Sequence, residues 1–309
     1  MKELPSISFN KLLQSYLESH VLRNASIRNY RHVIRTIQKD LRIVCLHEAE
    51  EEIILRWRKA VLARSSAITW NNYHTHMRAL FNFAVKKKWL ETNIFLEVSQ
   101  VRSPKLKKKT IALASLEHML STIKQYNEKF DPPWFWVTVI KVLFFTGMRQ
   151  QQLLMLKWRD IDFDNREIFL TLEGSKTHRE WTIPLPRGCR DTLWNLKEQT
   201  QQATGPIDID DHPVFRLHLF NPKFSGFGLT KHQVEGFFKK LSKLSGERIS
   251  AHRLRYTMAT LMAQSGENPD LKSLQYILGH TDIRTTMEYV EPKKEHLEKF
   301  INQLTLDQP

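Results

Sequence analysis

Apolar residues recur at helical intervals through most of the chain, and this spacing predicts a mainly α-helical protein. Three segments of the first hundred residues have one apolar face each: "SFNKLLQSYLES", "NASIRNYRHVIRTIQKDL" and "SAITWNNYHTHMRALFNFAVKKKWL". Beyond residue 112, the helical period continues in "SLEHMLSTIKQY" and in "WFWVTVIKVLFFTG". The second of these is apolar on all sides, which predicts a helix at the centre of a core.

The period changes from helical to alternating in one short region, which predicts a small β-sheet. Residues 168–172 and 180–184 alternate as two strands around a turn that holds Gly174, Ser175 and Lys176. Before them, the spacing of apolar residues predicts an amphipathic helix that begins near Arg149 and runs through Trp158. After Arg187 the helical period returns, whereas residues 205–228 look loop-rich.

A basic segment, "VRSPKLKKKT", interrupts the periodicity at Pro104 and predicts an interdomain linker. The chain of 309 residues, 41% of them hydrophobic, is long enough for two domains with real cores. We therefore predict a helical domain at residues 1–103, a linker at 104–110, and a mixed α/β domain at 111–309 that ends in a C-terminal helix.

The charge of the chain indicates its partner. The formal net charge is +14, a range typical of proteins that bind the phosphate backbone of nucleic acids. The candidate phosphate contacts are basic residues on one face of the second helix and in the linker: Arg28, Arg31, Arg35, Lys105, Lys107, Lys108 and Lys109. For the three arginines, a solvated helix surface is an equally good explanation.

Several other classes of protein are excluded by what the sequence lacks. Cys45 and Cys189 have no CxxC or Cys/His spacing, so neither a disulfide framework nor a zinc site is indicated. No apolar run is long enough to cross a bilayer, and the first residues do not resemble a signal peptide. The acidic clusters at 160–164 and 208–211 fit turns and strand edges better than a metal site. We expect a cytoplasmic protein without a cofactor.

Six residues in four separate stretches carry the candidate chemistry. A small-residue corner precedes the first, a hairpin tip carries the second, a helix cap at Ser250 precedes the third and fourth, and "LGHTDIRTTMEYV" contains the last two. In chain order they are Arg149, Lys176, His252, Arg255, His280 and Tyr289. Any one of them alone would be a structural or surface residue more often than a catalytic one.

Together these stretches resemble the tyrosine recombinase (phage integrase) family. Its catalytic domain shows "TGxRxxE", a hairpin lysine, "HxxR", "LGH" and a tyrosine nine residues after that histidine, in this order. All six residues fall on matching positions, and Lys176 lies eight residues before Pro184 of "TIPLP", where the family has "VPL". Two positions depart from the pattern: Gln152 stands where glutamate is usual, and Tyr256 where histidine is common.

The resemblance implies a fold and a reaction. The fold is a helical core-binding domain plus a mixed α/β catalytic domain, closing as a C-shaped clamp. The reaction is site-specific cleavage and rejoining of DNA through a 3′-phosphotyrosine. Tyr289 is expected to attack, three basic residues to bind the scissile phosphate (Arg149, Arg255 and His280), and two others to transfer protons (His252 and Lys176).

The same resemblance implies the partners. They are double-stranded DNA, further copies of the chain in a homo-tetramer on two paired sites, and accessory DNA-bending proteins, in a nucleoid-associated setting. We expect no separate arm-type DNA-binding domain before residue 8, which favours a simple recombination site.

Two alternatives use the same features. A type IB topoisomerase-like enzyme would share the chemistry, but the spacing from "LGH" to the tyrosine favours a recombinase. A non-catalytic DNA-binding protein on a recombinase scaffold would share the charge. That alternative gives no reason for a complete catalytic set.

Overall fold

The computed structural model describes residues 5–103, 110–174, 179–265, 270–290 and 301. Several predicted residues therefore lie outside the described part: Lys105, Lys107, Lys108, Lys109, Lys176 and, apart from Ile301, the C-terminal helix. The chain divides into two compact units, Met1–Leu106 and Lys107–Pro309.

The first unit consists of helices whose apolar faces pack around two tryptophans. Trp57 and Trp70 are fully buried, with ring centroids 5.4 Å apart in an edge-to-face arrangement. Ser8 and Ser66 cap two of the helices through their side chains, because a hydroxyl can accept from an otherwise unpaired backbone N–H. The helices are α1 (Phe9–Glu18), α2 (Asn24–Leu41), α3 (Glu51–Arg64), α4 (Ala67–Lys86) and α5 (Ile94–Glu97). The predicted segments correspond to α1, α2 and α4.

The second unit is built around α7, the helix with apolar residues on all sides. It begins with Pro133, is capped after Thr146 by Gly147, and packs against the helices Arg187–Thr204 and Ala251–Ala263. Its interior position confirms the prediction of a central helix. The helices are α6 (Leu113–Gln125), α7 (Pro133–Thr146), α8 (Gln150–Met155), α9 (Arg187–Thr204), α10 (Lys231–Ser245), α11 (Ala251–Ala263), α12 (Leu271–Leu278) and α13 (Ile283–Met287).

Within the described residues, three short strands form an antiparallel sheet beside these helices. They are β1 (Ile161–Asp162), β2 (Glu167–Leu170) and β3 (Trp181–Pro184), in the order β1-β2-β3. Ile168 and Ile183 face each other across the ladder, and both are buried, so one face of the sheet joins the core. The strands are slightly shorter than predicted, and β1 was not predicted.

The helix predicted from Arg149 through Trp158 is too long. α8 ends at Met155, because the next residues pair with a distant segment. Lys157 forms an isolated bridge with Pro213, and the N–H of Val214 donates to Leu156 O at 2.9 Å. A tertiary hydrogen bond thus takes the carbonyl that a longer helix would have used. No helix among the described residues is long and apolar enough to cross a membrane.

Candidate active site

Two helix ends hold the two predicted phosphate-binding arginines. Arg255 donates from Nη1 to Gly147 O at 2.5 Å and from Nη2 to Leu278 O at 2.8 Å. Arg149 donates to the same Leu278 O at 3.3 Å. These carbonyls lie at the C-terminal ends of α7 and α12, where they have no partner within their helix and carry partial negative charge. They therefore orient both guanidinium groups without neutralising them.

Both arginines carry charge in a partly dry environment. Burial and, to a smaller extent, the nearby Arg149 lower the pKa of Arg255 to about 10, while contact with Tyr289 opposes the shift. Burial likewise lowers the pKa of Arg149, and Tyr289 again opposes it. At neutral pH both groups stay cationic. A buried and a half-buried cation side by side create a strong preference for an anion between them.

Gln152, at the position where glutamate is usual, holds the backbone of Arg149. Its Oε1 accepts from the backbone N–H of Arg149 at 2.8 Å, which closes a capping box at the start of α8. An amide oxygen can accept this bond as a carboxylate would, so the backbone of Arg149 is held. The Nε2 of Gln152 is buried and has no hydrogen-bond partner among the described residues.

The predicted nucleophile packs against two other rings. Tyr289 is 3% exposed, and its ring is nearly parallel to that of His280, with centroids 5.9 Å apart and an angle of 8°. The ring of Tyr256 also contacts that of Tyr289; these two rings are tilted relative to each other, with centroids 5.1 Å apart. The hydroxyl of Tyr256 donates to Glu288 O at 3.4 Å. The tyrosine at the histidine position therefore supports the segment that carries Tyr289.

One cavity joins these groups. It has a volume of about 470 Å³ and brings together five of the six predicted catalytic residues: Arg149, His252, Arg255, His280 and Tyr289. His252 is exposed at the start of α11, whereas Arg255, one turn later, is buried. The place of Lys176 stays a prediction. Lys231, at the start of α10, also lines the cavity and was not singled out from the sequence.

Trp181 is a second residue whose place in the site could not be read from the sequence. Its indole donates to Ile277 O at 3.4 Å, and its ring lies against Gly279, where an added Cβ would come within 2.3 Å of it. β3 is thereby fixed against the end of α12, next to His280. The sequence signal was weak, because an aromatic residue in a short strand is usually a core residue.

The acidic clusters form turns. Asp162 accepts from the backbone N–H groups of Asp164 and Asn165, and Asp208 accepts from that of Asp210. Within the described ranges, no group of three or more His, Cys, Asp or Glu residues could hold a metal ion.

The three arginines predicted to contact phosphate, Arg28, Arg31 and Arg35, are exposed on α2, opposite its buried face. Arg31 and Arg35 line a groove of about 500 Å³ together with polar residues of α1, among them Asn10 and Gln14. This placement is compatible with a phosphate contact and equally with a solvated surface. Arg28 lies outside that groove.

Comparison with known proteins identifies the family. The sequence profile described as the phage integrase family matches residues 109–296. The chain belongs to this family. A putative tyrosine recombinase XerC of Pseudomonas aeruginosa is 28% identical, over 96% of this chain and 72% of that protein. One of Pseudomonas syringae is 31% identical, over 95% of this chain and 63% of that protein. The protein is thus a tyrosine-type site-specific DNA recombinase. Neither the topoisomerase-like enzyme nor the non-catalytic DNA-binding protein is favoured by these matches.

Solved structures share the fold. The Tn1549 transposon integrase in complex with a circular intermediate DNA matches with a TM-score of 0.75 and 21% identity, over 97% of this chain and 100% of that one. A lambda integrase tetramer bound to a Holliday junction matches with a TM-score of 0.71 and 18% identity, over 93% and 78%. The predicted fold, mainly helical with a small sheet, is therefore confirmed, and it is shared with tyrosine recombinases.

Proposed function

We propose that this recombinase cleaves one DNA strand by direct attack of Tyr289 on the scissile phosphate. The Tyr289 Oη–P bond forms as the P–O5′ bond breaks, which leaves a 3′-phosphotyrosine and a free 5′-hydroxyl. The phosphodiester energy is kept in the covalent link, so a second 5′-hydroxyl can reverse the step without a nucleotide cofactor. The observation that carries this proposal is the single cavity that holds Tyr289 beside two charged arginines.

The other side chains of the cavity fit roles around that attack. Arg149 and Arg255 would bind the nonbridging oxygens and strengthen their hydrogen bonds as negative charge builds in the transition state. His280 would add a contact to the same phosphate. His252 would receive the phenol proton as the oxygen of Tyr289 attacks. We retain Lys176 as the acid that protonates the leaving 5′-oxygen.

We further propose that the protein acts on duplex DNA as a homo-tetramer on two paired sites. Support comes from the shared fold with the lambda integrase tetramer bound to a Holliday junction. We also predict that accessory DNA-bending proteins take part and that the protein is associated with the nucleoid. Sedimentation of the protein with short duplex sites would test it: four copies per two duplexes are expected.

Tyr289→Phe tests the reaction directly. A suicide substrate nicked near the cleavage site traps protein on the 3′ phosphate as a denaturation-resistant band. We expect Tyr289→Phe to abolish the band while DNA affinity stays nearly unchanged, because the change removes the attacking atom and none of the phosphate-binding charge. Tyr276→Phe is the matched control, since Tyr276 is 56% exposed and does not line the cavity. A band that persists in Tyr289→Phe would refute the assignment, and its loss in Tyr276→Phe would make Tyr276 the next candidate.

A further inference from the structure

Lys231 adds a cation to the edge of the proposed active site. It lines the same cavity as Arg149 and His252, and its side chain is 60% exposed. Arg255, by contrast, lies in the interior of the cavity and is 4% exposed. The cavity therefore has buried positive charge inside and an exposed lysine where it opens to solvent.

The backbone of Lys231 is held from two sides. Thr230 caps α10 and forms reciprocal hydrogen bonds with Gln233, so Lys231 is the first helical residue. Its carbonyl accepts from Nε2 of Gln150 at 3.3 Å, which links the start of α10 to the start of α8, directly after Arg149. The backbone from which the lysine extends is therefore fixed beside a phosphate-binding arginine.

The stability of α10 does not explain a lysine at this position. The first turn of a helix favours acidic side chains because of the positive end of the helix dipole, whereas that of α10 reads KHQV. Lys231 also precedes its ion-pair partner Glu235 by four residues, which is the less favourable order for such a pair. A residue that opposes the dipole of its own helix and lines a site is expected to act in that site.

The ammonium group of Lys231 has a partner that DNA can replace. Its Nζ lies 3.5 Å from Oε1 of Glu235, and that carboxylate is itself 51% exposed. The second oxygen of Glu235 lies 4.0 Å from Nδ1 of His232. An exposed ion pair contributes little free energy because water and salt screen it, so a phosphate can displace the carboxylate at little cost.

We propose that Lys231 binds the DNA phosphate next to the scissile one, and that Glu235 holds the lysine in the absence of DNA. The inference rests on the proposed function for the position of the scissile phosphate between Arg149 and Arg255. Because phosphates follow one another along a strand, a cation at the edge of the cavity meets a neighbouring phosphate. Lys231 thus orients the strand for attack without touching the reacting atoms, and it is a positioning residue.

Four variants isolate this contact. Lys231→Gln removes the charge, and Lys231→Arg keeps it. Lys239→Gln is the matched control, because it removes an exposed lysine of the same helix that does not line the cavity. Glu235→Gln removes the competing carboxylate.

The first measurement is the affinity of each variant for duplexes in which one phosphate beside the scissile one is a neutral methylphosphonate. In the wild type, we expect one such substitution to weaken binding roughly tenfold, the lower end for a hydrogen bond to a charged group. The same substitution should cost Lys231→Gln nothing further, whereas Lys231→Arg and Lys239→Gln should respond as the wild type does. If every flanking methylphosphonate weakens Lys231→Gln as much as the wild type, the contact does not exist.

The second measurement is the effect of Glu235→Gln on affinity for unmodified duplex. We expect tighter binding, because the lysine no longer has a competing partner. Removing any negative charge near DNA tightens binding, so the same change is also made in Lys231→Gln, where the gain should be smaller. Equal gains with and without Lys231 would refute the role given to Glu235.

A substrate with a 5′-bridging phosphorothiolate separates a phosphate contact from proton donation. Its leaving sulfur departs as a thiolate and needs no proton, so this substrate rescues a variant that lacks the general acid. We expect it to restore covalent attachment in Lys176→Gln, while Lys231→Gln stays roughly tenfold or more below the wild type on both substrates. Rescue of Lys231→Gln would make this lysine a proton donor and overturn the proposal.

These measurements also separate the inference from the proposed function. Covalent attachment that persists in Tyr289→Phe would move the nucleophile, but it would leave the methylphosphonate result intact because that result needs no cleavage. An inactive Tyr289→Phe, together with a methylphosphonate effect that does not depend on Lys231, would keep the nucleophile and refute the contact.

Discussion

The buried charge of Arg255 is the residue-scale feature that most constrains what the site can bind. It donates to two carbonyls and contacts the His280 ring and the Tyr289 side chain, and no ion pair among the described residues includes it. Carbonyl dipoles offset only part of the cost of desolvating a cation. A phosphate that enters the cavity would supply the missing negative charge, so anion binding should stabilise the folded protein.

Inorganic phosphate should therefore raise the Tm of the protein at constant ionic strength. Binding only the folded state contributes about 1.4 kcal/mol when the free ligand is at ten times its Kd. Arg255→Ala should lose most of this increase, and so should Arg149→Ala. Arg216→Ala is the control, because Arg216 is also a buried arginine of the second unit but lies over the ring of Phe227 outside the cavity. The test is differential scanning calorimetry of each variant in phosphate and in chloride. Equal increases in all variants would mean that phosphate binds elsewhere.

At the scale of elements, the site depends on where two helices stop. α7 and α12 both end in a glycine with φ of +60°, Gly147 and Gly279, and these left-handed ends aim carbonyls at Arg255. A side chain in that backbone conformation is strained, since its Cβ approaches the carbonyl oxygen. Gly279 is constrained a second time, because the ring of Trp181 fills the space where a Cβ would lie.

Gly279→Ala should destabilise the protein and lower its activity, and Gly246→Ala separates the two causes. Gly246 ends α10 with φ of +73° and has nothing within 4 Å of an added Cβ, so it reports backbone strain alone, about 1 to 2 kcal/mol. Gly279→Ala should cost a further 1 to 3 kcal/mol, roughly the range for overpacking, because Trp181 must move. Urea unfolding measures both variants. Equal losses of unfolding free energy in the two variants would show that the contact with Trp181 does not add to the cost of Gly279→Ala.

Sequence periodicity predicted the elements whose stabilising contacts lie along one face. The sequence predicted α1, α2, α4 and α7 because their apolar residues share a stripe or fill the helix surface. It did not predict α3, whose adjacent apolar residues at 53–55 and 61–63 blur the period although Ile54, Trp57 and Val61 are the buried ones. Nor did it predict the early end of α8, because a hydrogen bond from a distant segment determines it.

The same limit applies within the site. Arg149, His252, Arg255, His280 and Tyr289 could be named from short motifs, and the structure brings them to one cavity. The residues that contact and hold these five side chains could not be named from the sequence, because a motif gives no information about neighbours in three dimensions. The ring of His280, for example, contacts Arg255 through Nε2 and Thr286 through Nδ1, and no motif indicates either contact.

For the whole molecule, the net charge of +14 and membership of the phage integrase family both indicate DNA as the partner. The exposed arginines of α2 belong to the first unit, which the family profile does not cover. Their role is therefore a prediction of its own. It concerns binding and can be tested without cleavage.

Affinity for duplex DNA should fall as salt rises, and the slope should report how many phosphates the arginines of α2 contact. Each neutralised phosphate contributes about −0.9 to the slope of log K against log salt. If Arg28, Arg31 and Arg35 all bind phosphates, their triple change to alanine should make the slope shallower by roughly 2.7. The triple change to lysine is the matched control, because it keeps the charge and should keep the slope. Fluorescence anisotropy of a labelled duplex, titrated at several salt concentrations, measures all three proteins. An alanine variant with the wild-type slope would place these arginines on a solvated surface, and the phosphate contacts would have to come from other basic residues of the chain.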